Sequence, residues 1–407
     1  MTCDPPFPDP ALRVLYLHHV GAFSGATKSL VEMLSALPAG AVKATAITPS
    51  GPAADALRAS GVQVIDSRGI AQWDDTRFGH YRGLRWVILL RELAYWPATL
   101  SAIRTAQRAG PFDLIHCNEV TALLPALVAK RRLGIALVVH VRSLQRGDKG
   151  GRVTRWLSSR LRTGADGIIA IDEAVRRTLP ADLDVDVIYN GMRAPVLQPD
   201  RPSGDPFCVS IVGVLHRAKG VYEFVQAARL LKQRGVRVRM LVVGGNVRDV
   251  KGLRGWVLRK LDFARDVRAD LEAVVAEHGL ADIVQFTGFV SDMPSLYART
   301  DALCFPSHLD APGRPVFEAG LFGLPSIVAM RSPTDDVFIP GRSGLCIDAP
   351  TPEAIADAIQ QLATDPARAR AMGAEARRLA MSRFESSLTA SKTLALYKRV
   401  LARAVQP

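Results

Sequence analysis

The chain has 407 residues, 48% hydrophobic and 22% charged, with 52 Lys+Arg against 39 Asp+Glu for a formal net charge of +13. At roughly 100–200 residues per domain this length predicts two or three domains of ordinary globular composition, which excludes a disordered tail protein and a collagen. The five cysteines (Cys3, Cys117, Cys208, Cys304, Cys346) are odd in number and widely spaced, with no C-x-x-C pair, which argues against a disulfide scaffold or zinc ribbon and for a reducing cytoplasm.

From the N-terminus, MTCDPPFPDP has neither a basic start nor an apolar core, so no export signal is expected. Strands are predicted at 14–17, 44–48, 62–65, 114–116, 137–141, 167–171 and 185–188, and helices at 27–37 and 120–132. Several of the strands are continuous apolar runs, as parallel strands covered on both faces require. The apolar run Val87-Ile88-Leu89-Leu90 is bracketed by Arg85 and Arg91, far short of the about 20 residues that span a bilayer. Residues 194–206, APVLQPDRPSGDP, have no periodicity and mark a linker at 196–206.

Beyond the linker the alternation restarts. A strand at 208–212 precedes a helix at 221–233 with an apolar face of Val221, Phe224, Val225, Ala228 and Leu231. Further strands follow at 238–243 (ending in Gly244-Gly245), 283–286, 302–305 and 326–329, and a terminal helix at 388–405. Two successive βαβα blocks predict an α/β protein with two Rossmann-like domains facing a central cleft. The domains are placed at 1–195 and 207–385, with a C-terminal helix at 386–407 packing back on the first.

The positive charge is clustered. Residues 130–162 and 217–268 are rich in Lys and Arg and enclose Trp156 and Trp256, and a third Arg-bearing segment, 82–108, holds Trp86 and Trp96. Bases interleaved with Trp and Leu suit an anionic membrane surface, a polyanionic substrate or nucleic acid, and a solvated basic face over core Trp explains them equally well. Residues 246–268 read as an insertion without an assigned role.

Two segments could carry chemistry. Gly213-Val214-Leu215-His216-Arg217-Ala218-Lys219-Gly220 joins a strand to a helix, where amide N–H groups and the helix dipole favour an anion. Arg217 and Lys219 add charge suited to a diphosphate; the alternative is a plain βα turn with solvent-facing bases. Its spacing is neither G-x-G-x-x-G nor a P-loop. The second segment runs from Pro306 through Ser307, His308, Leu309 and Asp310 to Gly313, Arg314, Pro315, Val316, Phe317 and Glu318. Pro315 is expected to open a helix, with Asp310 at the loop mouth and Glu318 in the first helical turn. Two carboxylates beside a phosphate turn suit a ligand with sugar hydroxyls; otherwise Glu318 stabilises the helix dipole and Asp310 is a turn residue.

Lys219-Gly220, Gly244-Gly245, Pro306-Ser307 and the spacing from Asp310 to Glu318-Ala319 together resemble the retaining GT-B glycosyltransferases of family four (glycosyl transferases group 1). The fit is densest over 205–350, where Phe286-Thr287-Gly288-Phe289-Val290 and Gly323-Leu324-Pro325 keep the family order. In the first half Ser24-Gly25-Ala26-Thr27-Lys28 resembles the family's glycine-rich loop near donor phosphate and acceptor, and Asp113-Leu114-Ile115-His116 and Tyr189-Asn190-Gly191 fall in sequence.

The resemblance implies that Lys219 holds the donor diphosphate, Glu318 the ribose hydroxyls and Asp310 the transferred sugar, with the backbone from Ala311 to Arg314 near sugar and phosphate. Gly213, Gly244, Gly245, Gly313, Arg314, Pro315 and Val316 complete the donor set. Ser24, Gly25, Ala26, Thr27, Lys28, His116 and Asn190 form the acceptor and diphosphate set. The chain departs from the pattern at Val214, where an Arg is usual and Arg217 is expected to compensate, and at Asp310, where Glu is usual. It also has Arg142 where a reaction-centre His is usual, with His140 two residues earlier.

Activity is still implied: transfer from a UDP- or GDP-sugar with retention, needing neither cofactor nor metal. The acceptor would be a saccharide or lipid-linked glycan in polysaccharide or lipopolysaccharide assembly, reached from the cytoplasm with peripheral contact to an anionic membrane. Nucleic acid is not an expected partner. A nucleotide-sugar epimerase and a non-catalytic GT-B-like binding protein remain the alternatives.

Overall fold

The computed structural model describes residues 11–77, 79, 87–146, 151–195, 206–245, 266–290, 292–309 and 313–405. The linker at 196–205, most of the insertion at 246–265, Trp86, Trp256 and Asp310 lie outside the described residues. The chain forms two compact units, one of Met1–Arg193 with Phe384–Pro407 and one of Ala194–Arg383.

Unit 1 is built on seven strands: β1 Leu12–Leu17, β2 Val42–Pro49, β3 Gln63–Ser67, β4 Leu114–Cys117, β5 Ala136–Val141, β6 Gly167–Ala170 and β7 Asp186–Val187. They form one parallel sheet in the order β3-β2-β1-β4-β5-β6-β7. Strand alternation sorts the side chains into two layers. Leu15, Leu17, Ile115, Cys117, Leu137, Val139 and Val141 enter one core. Val14, Tyr16, Leu114, Ala136 and Val138 enter the other, which the terminal helix Ser386–Val405 closes with Leu396, Tyr397 and Val400. Gly167 permits that helix to approach, because a Cβ there would lie 2.9 Å from a Val400 methyl.

Unit 2 repeats the plan with β8 Phe207–Val212, β9 Val238–Val243, β10 Val284–Gly288, β11 Ala302–Phe305, β12 Ser326–Ala329 and β13 Gly344–Ile347, all parallel, in the order β10-β9-β8-β11-β12-β13. The helix Val221–Gln233 buries the five apolar residues of its predicted face beside Val209, Met240 and Ile359. The last strand, β13, and the helix Pro352–Thr364 were not legible in advance. β13 is only four residues long and has a glycine at its start, too short for periodicity to register.

Other elements differ in their bounds. The predicted helix at 120–132 is a 3-10 turn Val120–Ala122 followed by the helix Leu123–Leu133, stopped by left-handed Gly134. The helix expected from 27 begins at Gly25, because Ser24 caps it: the Ser24 hydroxyl accepts from the Thr27 amide and the Thr27 hydroxyl accepts from the Ser24 amide. Among the described residues no helix is long and apolar enough to cross a membrane.

Phe224 is fully buried in the unit 2 core. Phe224→Ala should cost about 3–5 kcal/mol of unfolding free energy, read as a lower midpoint for unit 2 in denaturant unfolding, whereas Phe23→Ala, 55% exposed, should leave it unchanged.

Candidate active site

In both sheets the strand order reverses at one point, between β1 and β4 in unit 1 and between β8 and β11 in unit 2. Connections leave such a point in opposite directions, which opens a crevice at the C-terminal ends of the two strands where ligands of open α/β sheets bind. The predicted site residues collect at these two points.

At the unit 2 point, Gly213 (φ +145) follows β8 and Gly244 (φ +140) follows β9. Their backbones touch: a Cβ on Gly244 would lie 1.8 Å from the Gly213 carbonyl oxygen. The Leu215 amide donates to the Gly245 carbonyl at 3.0 Å, which holds the two strand ends together beyond the sheet. The loop then makes a 3-10 turn, Arg217–Lys219, whose Ala218 amide donates to His216 Nδ1 at 3.1 Å. Left-handed Gly220 opens the following helix against Pro306, where any Cβ would lie 1.9 Å from the Pro306 carbonyl oxygen.

The loop after β11 is fastened to the same turn. The His308 amide (3.0 Å) and the Ser307 hydroxyl (3.3 Å) both donate to the Ala218 carbonyl. The His308 ring meets Glu223 at 3.0 Å. Lys219 is half-buried; burial lowers its pKa, and its ammonium lies 5.3 Å from the centroid of the Phe305 ring. Phe305 also underlies Gly313, where a Cβ would be 2.3 Å from the ring. One aromatic ring thus supports both the lysine and the residue that caps the helix Arg314–Leu321. Arg217 is exposed, with its guanidinium 5.8 Å from the Tyr222 ring centroid. Val214 is 51% exposed beside them.

One expectation changes here. The helix starts at Arg314, with Pro315 second, so Glu318 is the fifth residue, one position further in than expected. It therefore does not serve the first-turn dipole. Glu318 accepts from Arg314 Nε at 2.8 Å and from the Tyr297 hydroxyl at 3.2 Å, with both partners of the ion pair largely buried. Burial and the adjacent Glu318 carboxylate push the Tyr297 phenol well above its ordinary pKa. Arg314 is engaged by Glu318, and Val316 is buried in the helix.

At the unit 1 point the predicted residues form a buried polar network. Arg142 sits at its hub: Nε donates to the Asn118 carbonyl (2.8 Å), Nη2 to Asn118 Oδ1 (2.8 Å) and His140 Nδ1 (3.1 Å), and Nη1 to Asn190 Oδ1. Asn118 Nδ2 reaches His18 Nδ1 (2.9 Å), and His18 Nε2 reaches the Thr27 hydroxyl (3.0 Å). The Ser24–Lys28 stretch is therefore the capped start of a helix, with Thr27 buried and turned inward. Gly25 is a helical residue with open space about its Cα, and Ala26 lends its carbonyl to Asn118.

The proton positions follow from donor chemistry. Arginine only donates, so His140 Nδ1 accepts and its proton is on Nε2. His116 Nε2, 3.4 Å from the same Nδ1, must then donate, and His116 Nδ1 accepts from the Tyr397 hydroxyl at 2.7 Å. Burial and the Arg142 charge hold both imidazoles neutral: His116 falls to about 3 and His140 lies well below its usual value. His18 is likewise lowered to about 3 and His19 to about 4 by burial. His140 Nε2–H is buried without a partner among the described residues.

Sequence reasoning missed His18, Asn118, Glu119 and Tyr397. Glu119 accepts from the amides of Val120 (2.9 Å) and Arg142 (3.3 Å) and from the Ser143 hydroxyl (3.1 Å), and burial raises it to about 7. Asn118-Glu119 directly after β4 was the available signal, since polar residues just past the C-terminal end of a switch-point strand are candidates by position alone. Among the described residues no group of three or more His, Cys, Asp or Glu gathers as a metal site would.

Two parallel Rossmann-like sheets, each with its functional loops at the point of strand reversal, define the GT-B class of α/β protein. Residues 23–194 match the family described as Glycosyltransferase Family 4 and residues 197–379 the family described as Glycosyl transferases group 1. The chain belongs to this glycosyltransferase family. It is 25% identical over 317 residues to the MMP alpha-(1->4)-mannosyltransferase of Mycolicibacterium hassiacum, covering 73% of each chain. It is 28% identical over 325 residues to the D-inositol 3-phosphate glycosyltransferase of an Arthrobacter species, covering 74% of this chain and 73% of the relative. The crystal structure of Anabaena HepE in complex with UDP superposes with a TM-score of 0.73 at 20% identity, over 95% of this chain and 100% of that one.

The network has a pH signature. A histidine whose pKa is lowered on folding stabilises the fold above about pH 6.5 and loses that contribution as pH falls through the folded value. A glutamate raised on folding has the opposite sign: its contribution is present at low pH and lost as pH rises toward about 7. The melting temperature should therefore fall between pH 6.5 and 4, less steeply in His116→Asn and more steeply in Glu119→Gln, as read by thermal unfolding across that range.

Proposed function

We propose that this glycosyltransferase moves a hexose from a UDP- or GDP-sugar to a hydroxyl of a saccharide or lipid-linked glycan, with retention at the anomeric carbon and without a metal. The observation that carries this reading is the half-buried Lys219, held beside the helix start at Gly313 and Arg314 by the shared Phe305 ring. UDP in the related HepE fold supports a uridine donor, and the mannosyl- and inositol-phosphate glycosyltransferase relatives support a sugar nucleotide.

In this mechanism the sugar–phosphate bond breaks toward the diphosphate while the sugar becomes oxocarbenium-like. Lys219, the dipole of the helix Arg314–Leu321 and Arg217 stabilise the negative charge that develops on the leaving group, the term that contributes most to such reactions. The acceptor oxygen forms its new bond on the face the diphosphate leaves, and the departing phosphate oxygen takes the acceptor proton. Glu318 accepts the ribose hydroxyls, and Asp310 is assigned to the transferred sugar by resemblance. Unit 1 takes the acceptor, with His140 Nε2–H as a buried donor at its switch point.

Peripheral contact with an anionic membrane belongs to the same reading. The helix Gly151–Gly164 carries Arg152, Arg155 and Arg160 with Val153 and Trp156 at 41% and 43% exposure, a pattern that suits an interface rich in acidic lipid.

Calorimetric titration of UDP and GDP, free and sugar-linked, tests the donor site. One nucleotide should bind at micromolar strength, and Glu318→Ala should weaken it at least tenfold, about 1.4 kcal/mol. If neither nucleotide binds the wild type, Val214 in place of the usual arginine has removed the donor site and the chain is a binding protein. Proton NMR of the product formed before mutarotation should show the donor's anomeric configuration; inversion would overturn the retaining mechanism.

A further inference from the structure

Unit 1 contains a pocket of ≈ 590 Å³ on the sheet face opposite Tyr397. It is formed by the loops that follow β3, β4, β5 and β6 together with the helix Gly151–Gly164. Its size is that of a ligand site for one or two sugars with a charged group. The floor is apolar, with Trp73, Leu157 and Leu179, and the rim carries Arg155, Arg162 and Arg177.

Charge in the pocket is unbalanced. Arg162 is satisfied by a bidentate pair with Asp182 at 2.9 and 3.0 Å. Asp75 is the acid in the lining; it is buried, accepts from the Thr154 hydroxyl at 2.5 Å and pairs with Arg146 at 3.4 Å. Arg155 and Arg177 are exposed and take part in no ion pair among the described residues. Arg146, which also donates to the Thr76 carbonyl at 3.3 Å, keeps a buried Nη2 without a partner among the described residues. Two uncompensated guanidiniums over an apolar floor match a dianionic group on a partly apolar stem, because a guanidinium donates two parallel hydrogen bonds to a phosphate.

We propose that this pocket is the acceptor's anion subsite: Arg155 and Arg177 bind a phosphate or diphosphate carried by the acceptor, and Trp73, Leu157 and Leu179 cover the adjoining sugar or lipid stem. The proposal rests on the assignment of the acceptor to unit 1 and narrows the acceptor class to phosphorylated molecules. The phosphate has two sources, a soluble sugar phosphate or the headgroup of a lipid-linked saccharide, and the stem distinguishes them.

The test uses the full chain saturated with UDP, so that the donor site is occupied, and titrates inorganic pyrophosphate and farnesyl diphosphate at low ionic strength. Both should bind the wild type. Arg155→Gln/Arg177→Gln should weaken pyrophosphate at least tenfold while UDP affinity stays within twofold. Arg368→Gln, exposed on the unit 2 helix Pro366–Phe384 and outside the pocket, should change neither.

Both replaced arginines are exposed, and an unchanged melting temperature checks the fold. Farnesyl diphosphate binding tenfold or more above pyrophosphate marks a lipid-linked acceptor, and equal binding marks a soluble phosphate; either supports the subsite. Wild-type pyrophosphate affinity in the double variant, or no binding to the UDP-saturated wild type, overturns it. Failure of the donor assignment is read separately, as absence of UDP binding in the first titration.

Discussion

The unit 2 site depends on a backbone contact: Gly220 against the carbonyl of Pro306. Only a residue without a Cβ allows the two loops at the strand reversal to meet, and the Ala218 carbonyl then accepts from both Ser307 and His308. Once the loops are joined, Lys219 is drawn over Phe305 and becomes half-buried, and the same ring fixes Gly313 at the start of its helix. In the proposed mechanism charge stabilisation at this site is preorganised by packing, because the groups assigned to a diphosphate are held before any ligand arrives.

Unit 1 solves a different problem, that of keeping polar groups inside an apolar layer. Tyr16, His116, His140 and Tyr397 sit on the sheet face that the terminal helix covers, among leucine and valine. Each would be costly there without a partner. They are joined as a chain in which every imidazole is neutral and has one defined proton position, with Arg142 supplying the donors that set the direction. The arginine that replaces the expected histidine therefore anchors four strand ends, β1, β4, β5 and the segment after β7, rather than projecting alone.

Much of the architecture was legible in the sequence. The parallel strands announce themselves as short apolar runs, and the helix Val221–Gln233 was bounded to the residue because its apolar face is regular and a glycine precedes it. The glycines at 213, 220 and 244 marked the turns at the unit 2 strand reversal, since positive φ and close backbone approach leave few other choices. β13 and the split of the predicted 120–132 helix were not legible: short elements set by tertiary contacts leave no periodic trace.

Local rules also misplaced groups whose role depends on a partner distant in sequence. Glu318 was expected in the first helical turn, and it lies just past that turn because the helix starts at Arg314, where Tyr297 from the preceding helix reaches its carboxylate. By resemblance Thr27 belonged to a glycine-rich loop, and it is the inward-facing third residue of the helix that Ser24 caps, its hydroxyl 3.0 Å from His18 Nε2. The sequence by itself determined the two α/β repeats, the family and the glycine turns at the unit 2 strand reversal, since these follow from hydrophobic period, motif order and glycine position. Tertiary structure alone decided which arginines are neutralised, which imidazole nitrogens carry protons, and where two unpaired guanidiniums share a pocket. Those outcomes depend on contacts between residues up to 381 positions apart, as between Tyr16 and Tyr397, and no local pattern encodes them.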